Sequence, residues 1–124
     1  MTAEDHAPLV RSYLAAFEAR DLARCLEFFA ADATIGFHVS AFRGARGVAD
    51  WHRARFEADA RVVRIDRMTI EGERAVVDVV ATSRTLRAWK IGDLKGRVEL
   101  FFAQGRIVRA LLSLRGSNPG LLEV

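Results

Sequence analysis

The first sixty residues repeat their apolar side chains with helical spacing. A first stripe, at i, i+1, i+4, i+5 and i+8, is formed by Leu9, Val10, Tyr13, Leu14 and Phe17. This spacing predicts an amphipathic helix that starts near Pro8, where a missing N–H group is tolerated. Asp21, a residue type that caps helix N-termini, precedes a second stripe of Leu22, Cys25, Leu26 and Phe29.

A short strand and a third helix are predicted next. Residues 33–42 contain the β-branched and aromatic side chains that are typical of a strand. The glycines of residues 43–47 predict a turn. The third helix then carries Val48, Trp51, His52 and Phe56 on one side.

After residue 60 the apolar period changes to two. Glycines separate four strand-like segments, 61–70, 74–88, 94–103 and 106–115. Glu71-Gly72 and Gln104-Gly105 are typical of two-residue hairpin turns, and the segment 116–120 does not continue a strand. Helices followed by hairpins predict an α+β fold, in which three N-terminal helices pack on a strongly curved antiparallel sheet around an internal pocket. With 124 residues and no linker or repeat, we interpret residues 1–124 as a single domain.

The hairpin turns also predict which residues share a face of the sheet. If Gln104-Gly105 is the turn, Ala103 pairs with Arg106 and Glu99 with Ala110, and we place Thr82 opposite Glu99. One face then carries Asp78, Val80, Thr82, Arg84, Arg97, Glu99, Phe101, Ala110 and Leu112. The other face carries Val77, Val79, Ala81, Val98, Leu100, Phe102, Ile107 and Leu111.

Both predicted faces hold large apolar side chains, whereas a half-solvated sheet needs one polar face. The three helices cover one face, so we expect a second copy of the chain to cover the other in a homodimer. A curved sheet with an apolar rim is the alternative. The first face mixes charges with apolar residues, which is the usual make-up of a small-molecule pocket.

Charge and composition exclude several classes of protein. Seventeen of the nineteen basic residues are arginines, but they are dispersed among sixteen acidic residues and form no basic face for nucleic acid. The longest uncharged run, residues 33–42, is too short to span a bilayer, and no signal peptide is visible, so we expect a cytoplasmic protein. The lone Cys25 forms no internal disulfide, and no residue spacing predicts a metal or another cofactor.

Three segments resemble the nuclear transport factor 2-like superfamily, which includes SnoaL-like polyketide cyclases and ketosteroid isomerases. They are Val10 to Leu22, Phe28 to Thr34 and Val98 to Val108. Their order covers nearly the whole chain. The resemblance implies a cone-shaped α+β fold with a pocket between helices and sheet.

The resemblance also implies a set of site residues. Tyr13 and Glu99 stand where ketosteroid isomerases have the tyrosine and the protonated acid of an oxyanion hole. The position of their aspartate base falls on Phe37, with His38 beside it. Arg97 and Glu99 resemble part of the Asp, Arg, Asp set of epoxide hydrolases, with Asp78 as the second acid.

We therefore expect a domain that binds a small, apolar molecule, with general acid–base chemistry of the isomerase, cyclase or hydratase kind. The candidate catalytic residues are Tyr13, Glu99 and Asp78. The candidate ligand-binding residues are Phe17, Phe37, Trp51, Arg84, Arg97 and Phe101. For most of them a structural role is an open alternative, for example an ion pair of Glu99 with Arg84. A non-catalytic dimerisation or protein-interaction domain is the alternative function.

Overall fold

Helices on one side of an open, curved six-stranded sheet make up the computed structural model, which describes residues 3–37, 39–90 and 92–114. The elements are α1 (Ala3–Glu18), α2 (Leu22–Glu27), β1 (Phe29–Phe37), β2 (Ser40–Arg43), α3 (Gly44–Glu57), β3 (Arg61–Glu71), β4 (Arg74–Thr82), α4 (Arg84–Ala88), β5 (Leu94–Ala103) and β6 (Arg106–Leu114). The predicted α+β class is confirmed. His38 and the segment 116–120 lie outside the described residues.

The strands lie in the order β2-β1-β6-β5-β4-β3. Every neighbouring pair is antiparallel except β1 and β6, which run parallel, so the predicted curved sheet contains one parallel pair that was not expected. The predicted single strand 33–42 is in fact a hairpin of β1 and β2. Because β1 already begins at Phe29, α2 ends at Glu27 rather than at Phe29.

The first helix is longer than predicted and begins at Ala3 instead of near Pro8. His6 explains the difference, because its side chain is fully buried. The ring stacks on Phe102 at a centroid distance of 4.5 Å, and Nδ1 donates to the carbonyl oxygen of Gly72 over 3.0 Å. These contacts pack the start of α1 against β5 and against the turn between β3 and β4.

The predicted strand 74–88 ends early, at Thr82. Ser83 then acts as an N-cap, and its hydroxyl accepts a hydrogen bond from the Leu86 backbone at 3.4 Å. Arg84 therefore opens the short helix α4 and does not belong to a sheet face. The longer connection also shifts the β4–β5 register, so that Val76, not Thr82, lies opposite Glu99.

The Gln104-Gly105 hairpin is confirmed, with Ala103 opposite Arg106. Both turn residues have positive φ angles, 52° and 78°, as a type I′ turn requires. Further along, Phe102 lies opposite Ile107 but Phe101 lies opposite Arg109, so one extra residue, Val108, forms a bulge.

The bulge reverses the predicted orientation of the rest of β6. We call the sheet side toward the helices the inner face; it includes Val77, Val79, Val98, Leu100, Phe102, Ile107, Ala110 and Leu112. The opposite side is the outer face; it includes Val76, Asp78, Val80, Arg97, Glu99, Phe101 and Leu111. Ala110 and Leu112 were expected beside Asp78 and lie on the inner face instead, while Leu111 lies outside.

The hydrophobic core fills the space between the inner face and the helices. Val10, Tyr13 and Phe17 of α1 reach it, as do Val48 and Trp51 of α3. The apolar stripes of the sequence thus correspond to the buried helix faces. No helix in the described part of the chain is both long and apolar enough to cross a membrane.

Candidate functional site

A cavity of about 160 Å³ lies between the helices and the inner face. The sheet supplies Val79, Ala81, Val98, Leu100, Ala110 and Leu112 to its walls, and the helices supply Tyr13, Phe17, Trp51 and Arg55. Most of the wall is hydrocarbon, so the cavity favours an apolar occupant.

The cavity reaches the surface beside the start of β3. Arg61 lines it there and is exposed to solvent. The Arg61 guanidinium already binds two acids, Asp59 at 3.1 Å and Glu18 at 3.8 Å. This arginine is therefore satisfied by the protein itself.

A buried hydrogen-bonded pair, Tyr13 and His52, joins α1 to α3 at the cavity wall. Tyr13 Oη lies 2.7 Å from His52 Nε2, and His52 Nδ1 lies 2.7 Å from the carbonyl oxygen of Val48. A carbonyl oxygen accepts only, so Nδ1 carries the ring proton and Nε2 of the neutral ring accepts the proton of Tyr13. The single hydroxyl proton of Tyr13 is therefore committed to His52.

Burial keeps both members of this pair uncharged. It raises the pKa of Tyr13 well above its usual range, and Cys25 adds to that effect. It lowers the pKa of His52, against the hydrogen bond to the Val48 carbonyl, which raises it. The aromatic rings packed around the His52 imidazole belong to Tyr13, Phe17, Phe29, Trp51 and Phe56. At neutral pH the proton therefore stays on Tyr13.

A second polar feature of the cavity wall consists of two unpaired N–H groups. Trp51 Nε1 and Arg55 Nε are buried and have no hydrogen-bond partner among the described residues. They lie one helical turn apart on α3. Arg55 Cζ is 5.8 Å from the centroid of the Trp51 ring and 6.0 Å from that of Phe37. An unpaired buried donor costs about 1–3 kcal/mol, and more when it is charged.

The charged residues expected in the pocket lie on the outer face. Arg97 donates to both carboxylate oxygens of Asp78, at 2.8 and 3.3 Å, and this contact raises the pKa of Arg97. Glu99 binds Arg74 at 3.1 Å rather than Arg84. The predicted pocket face was therefore wrong, because the helices cover the apolar face that carries Val77, Val98 and Leu100, and the charged face lies on the other side of the sheet.

The remaining predicted site residues divide between the two sides. Tyr13, Phe17 and Trp51 line the cavity. The ring of Phe37 lies next to Arg55, which is itself a lining residue. Phe101 lies on the outer face, where the guanidinium of Arg109 is 5.4 Å from its ring centroid.

Arg84 is exposed on α4. Arg84, Arg97 and Phe101 are not among the residues that line this cavity, and their ligand-binding roles stay predictions. The acid–base roles of Asp78 and Glu99 stay predictions without a place in this cavity.

Two residues of the site were missed or undervalued in the sequence. His52 was predicted only to lie on the same side of the third helix as Val48, and its spacing from Tyr13 along the chain gives no sign that the two side chains meet. Arg55 has a helical signal, since it follows Trp51 by four residues. A charged residue on an amphipathic helix is nevertheless normally assigned to solvent.

No group of three or more His, Cys, Asp or Glu side chains is placed to hold a metal ion within residues 3–37, 39–90 and 92–114.

Comparison with known proteins places the sequence in a family. The family profile of the SnoaL-like domain matches residues 10–110, which is more than half of the chain. No curated protein matches the chain in sequence.

Solved structures share the fold at low sequence identity. A Sinorhizobium meliloti protein provisionally assigned as a polyketide cyclase is 20% identical with a TM-score of 0.77; 91% of this chain and 100% of that chain are covered. An NTF2-like protein of unknown function from Burkholderia pseudomallei is 24% identical with a TM-score of 0.74, covering 87% and 88%. SalBIII, an epoxide hydrolase/cyclase-like enzyme of pyran ring formation in the polyether salinomycin, is 12% identical with a TM-score of 0.79, covering 91% and 92%.

Proposed function

The chain belongs to the SnoaL-like domain family, and we propose that it binds a small, largely apolar molecule in the cavity between the helices and the inner face. The observation that carries this proposal is the cavity of about 160 Å³ with walls mainly of hydrocarbon. An engineered apolar cavity of about 150 Å³ is known to bind benzene. The proposed ligand is therefore about the size of one substituted ring.

A reaction of the isomerase, cyclase or hydratase kind on this ligand is part of the proposal. The polyketide cyclase assignment of one structural neighbour and the epoxide hydrolase/cyclase-like character of another support this class of chemistry. Tyr13 is the proton-carrying side chain at the cavity wall, and a ligand oxygen there competes with His52 Nε2 for its proton. The residues that line the cavity in the described part of the chain include no Asp or Glu that could act as a base. The structure therefore supports ligand binding more strongly than catalysis.

Binding of toluene, measured by ligand-observed NMR, tests the proposal. Ala110 and Ala81 line the cavity, so Ala110→Leu and Ala81→Leu fill it; Ala103→Leu, at an exposed position of the same sheet, is the matched control. We expect wild type and Ala103→Leu to bind toluene alike, and each filling variant to bind at least about tenfold more weakly. Two filling variants guard against the failure of one to fold. Absence of binding to wild type, or equal binding by a folded filling variant, contradicts the proposal.

A second proposal concerns the outer face, on which the chain forms a homodimer or docks a partner protein. Val76, Phe101 and Leu111 are partly exposed beside the outer ion pairs, and the helices do not cover this side. Sedimentation of the wild-type chain and of Phe101→Asp tests it. A wild-type dimer that Phe101→Asp dissociates is the expected result, and a wild-type monomer contradicts the homodimer.

A further inference from the structure

Trp51 and Arg55 line one wall of the cavity, and each carries a buried N–H group that has no partner among the described residues. From this wall, formed by Trp51 and Arg55, we infer that the molecule held in the cavity is a small apolar carboxylic acid, bound as its carboxylate. The inference rests on the proposed ligand-binding function and specifies the chemical class of the ligand.

The two arginines of the cavity differ in a way that singles out Arg55. Arg61 lies at the mouth and already binds Asp59 and Glu18. The ion pairs among the described residues do not include Arg55, and its Nε atom has no acceptor. On the same helix, Arg53 is exposed and binds Asp50 at 3.2 Å. Arg55 is therefore the cavity arginine that still needs an anion.

Aromatic rings flank Arg55 without neutralising it. Its Cζ lies about 6 Å from the ring centroids of Trp51 and Phe37. Such packing satisfies none of its N–H groups. Trp51 adds its own unpaired Nε1–H one helical turn away, so a single acceptor group at this wall meets donors from both residues.

A carboxylate fits this wall better than other acceptors. The guanidinium group is planar and permanently charged, and it binds the two oxygens of a carboxylate in parallel. The remaining walls are apolar, so the rest of the ligand is hydrocarbon of about one ring. Arg55 Nε is buried, and a torsional change of this flexible, half-buried side chain presents the guanidinium to the ligand.

Two probes of similar shape, one charged and one neutral, distinguish binding through the carboxylate from binding through the apolar ring. Benzoate and toluene are titrated into wild type, Arg55→Met and Arg53→Met at pH 7.5, with calorimetry or NMR as readout. Arg55→Met keeps an unbranched, apolar stem and removes the guanidinium group, and Arg53→Met makes the same change of net charge on the same helix outside the cavity. Trp51→Phe removes the indole N–H while keeping an aromatic ring.

We expect Arg55→Met to weaken benzoate binding at least about tenfold and to change toluene binding less than about twofold. Trp51→Phe weakens benzoate binding in the same direction, and Arg53→Met changes neither probe. Two results would overturn the inference that the ligand is a carboxylate while leaving the ligand-binding function intact. Either toluene binds but benzoate does not, or Arg55→Met leaves benzoate binding unchanged. An equal loss of both probes in Arg55→Met also overturns it, since Arg55 then only shapes the wall. If neither probe binds wild type, the ligand-binding proposal fails as well.

Discussion

The inner and outer faces of one sheet are built from alternate residues of the same strands, and they differ in almost every physical respect. On β5, Leu100 points inward and is 2% exposed, whereas its neighbour Glu99 points outward to Arg74. The inner face is apolar and borders the cavity. The outer face pairs its charges across strands, as Arg97 and Asp78 do.

The two faces differ in how much they contribute to the free energy of folding and in which of them borders the candidate ligand site. Burial of an apolar side chain contributes about 1.5–3 kcal/mol, while an exposed ion pair contributes about 0–1 kcal/mol. The inner face therefore carries the folding energy and also the candidate site. Partly exposed outer ion pairs such as Glu99–Arg74 therefore add little to folding, whereas Asp78 is itself buried and its pair with Arg97 does not belong to this class.

The largest contrast is expected between Leu100→Ala and Glu99→Ala. Leu100 touches the core and the cavity, so its truncation should cost about 2–5 kcal/mol of the free energy of unfolding. Glu99→Ala loses a partly exposed ion pair and should cost less than about 1 kcal/mol. Urea unfolding of both variants measures the two values. Equal losses would show that the inner and outer faces are assigned incorrectly.

A smaller loss is expected from Tyr13→Phe. The variant keeps the ring but leaves the buried His52 Nε2 without its donor, which costs about 1–3 kcal/mol. Trp89→Phe is the control, because Trp89 is 72% exposed and its change should stay within about 0.5 kcal/mol. Thermal or urea unfolding compares the two, and a Tyr13→Phe variant as stable as the control refutes the buried pair.

The smallest effect is a pH dependence from His52. Its pKa in the folded chain lies below the ordinary value of 6.5, because burial disfavours the charged ring. As the pH falls below 6.5, the unfolded chain takes up a proton that the folded chain refuses, so stability declines until the folded pKa is reached. The decline is at most about 1.4 kcal/mol per pH unit.

Urea unfolding of wild type and His52→Gln between pH 7.5 and 5 measures this dependence. All other titrating groups are shared, so the difference between the two slopes reports on His52. We expect the shallower slope in His52→Gln; parallel slopes contradict a lowered pKa.

The elements could be predicted from the sequence because each depends on neighbouring residues. Apolar periodicity located the helices, and Gln104-Gly105 located the last hairpin, since both residues adopt positive φ. The Ser83 cap that ends β4 was missed, because the apolar alternation alone continues the strand past it.

The site was less predictable, because it depends on contacts between distant elements. One extra residue at Val108 reversed the faces of β6, and nothing in the local pattern marks it. The Tyr13–His52 bond joins two helices 39 residues apart. Arg55 could not be assigned to the cavity from the sequence, because a charged residue on an amphipathic helix is normally placed on the solvent side.

The Val108 bulge shifts the register of the last strand by one residue. With it, Ala110 and Leu112 point into the cavity while Arg109 and Leu111 point away. If Val108 were instead paired opposite Phe101, each later residue of β6 would move one place along β5, so that Arg109 would face the interior and Ala110 would face outward. One position of register on the last strand thus decides whether this wall of the cavity is hydrocarbon or cationic, without any amino-acid substitution.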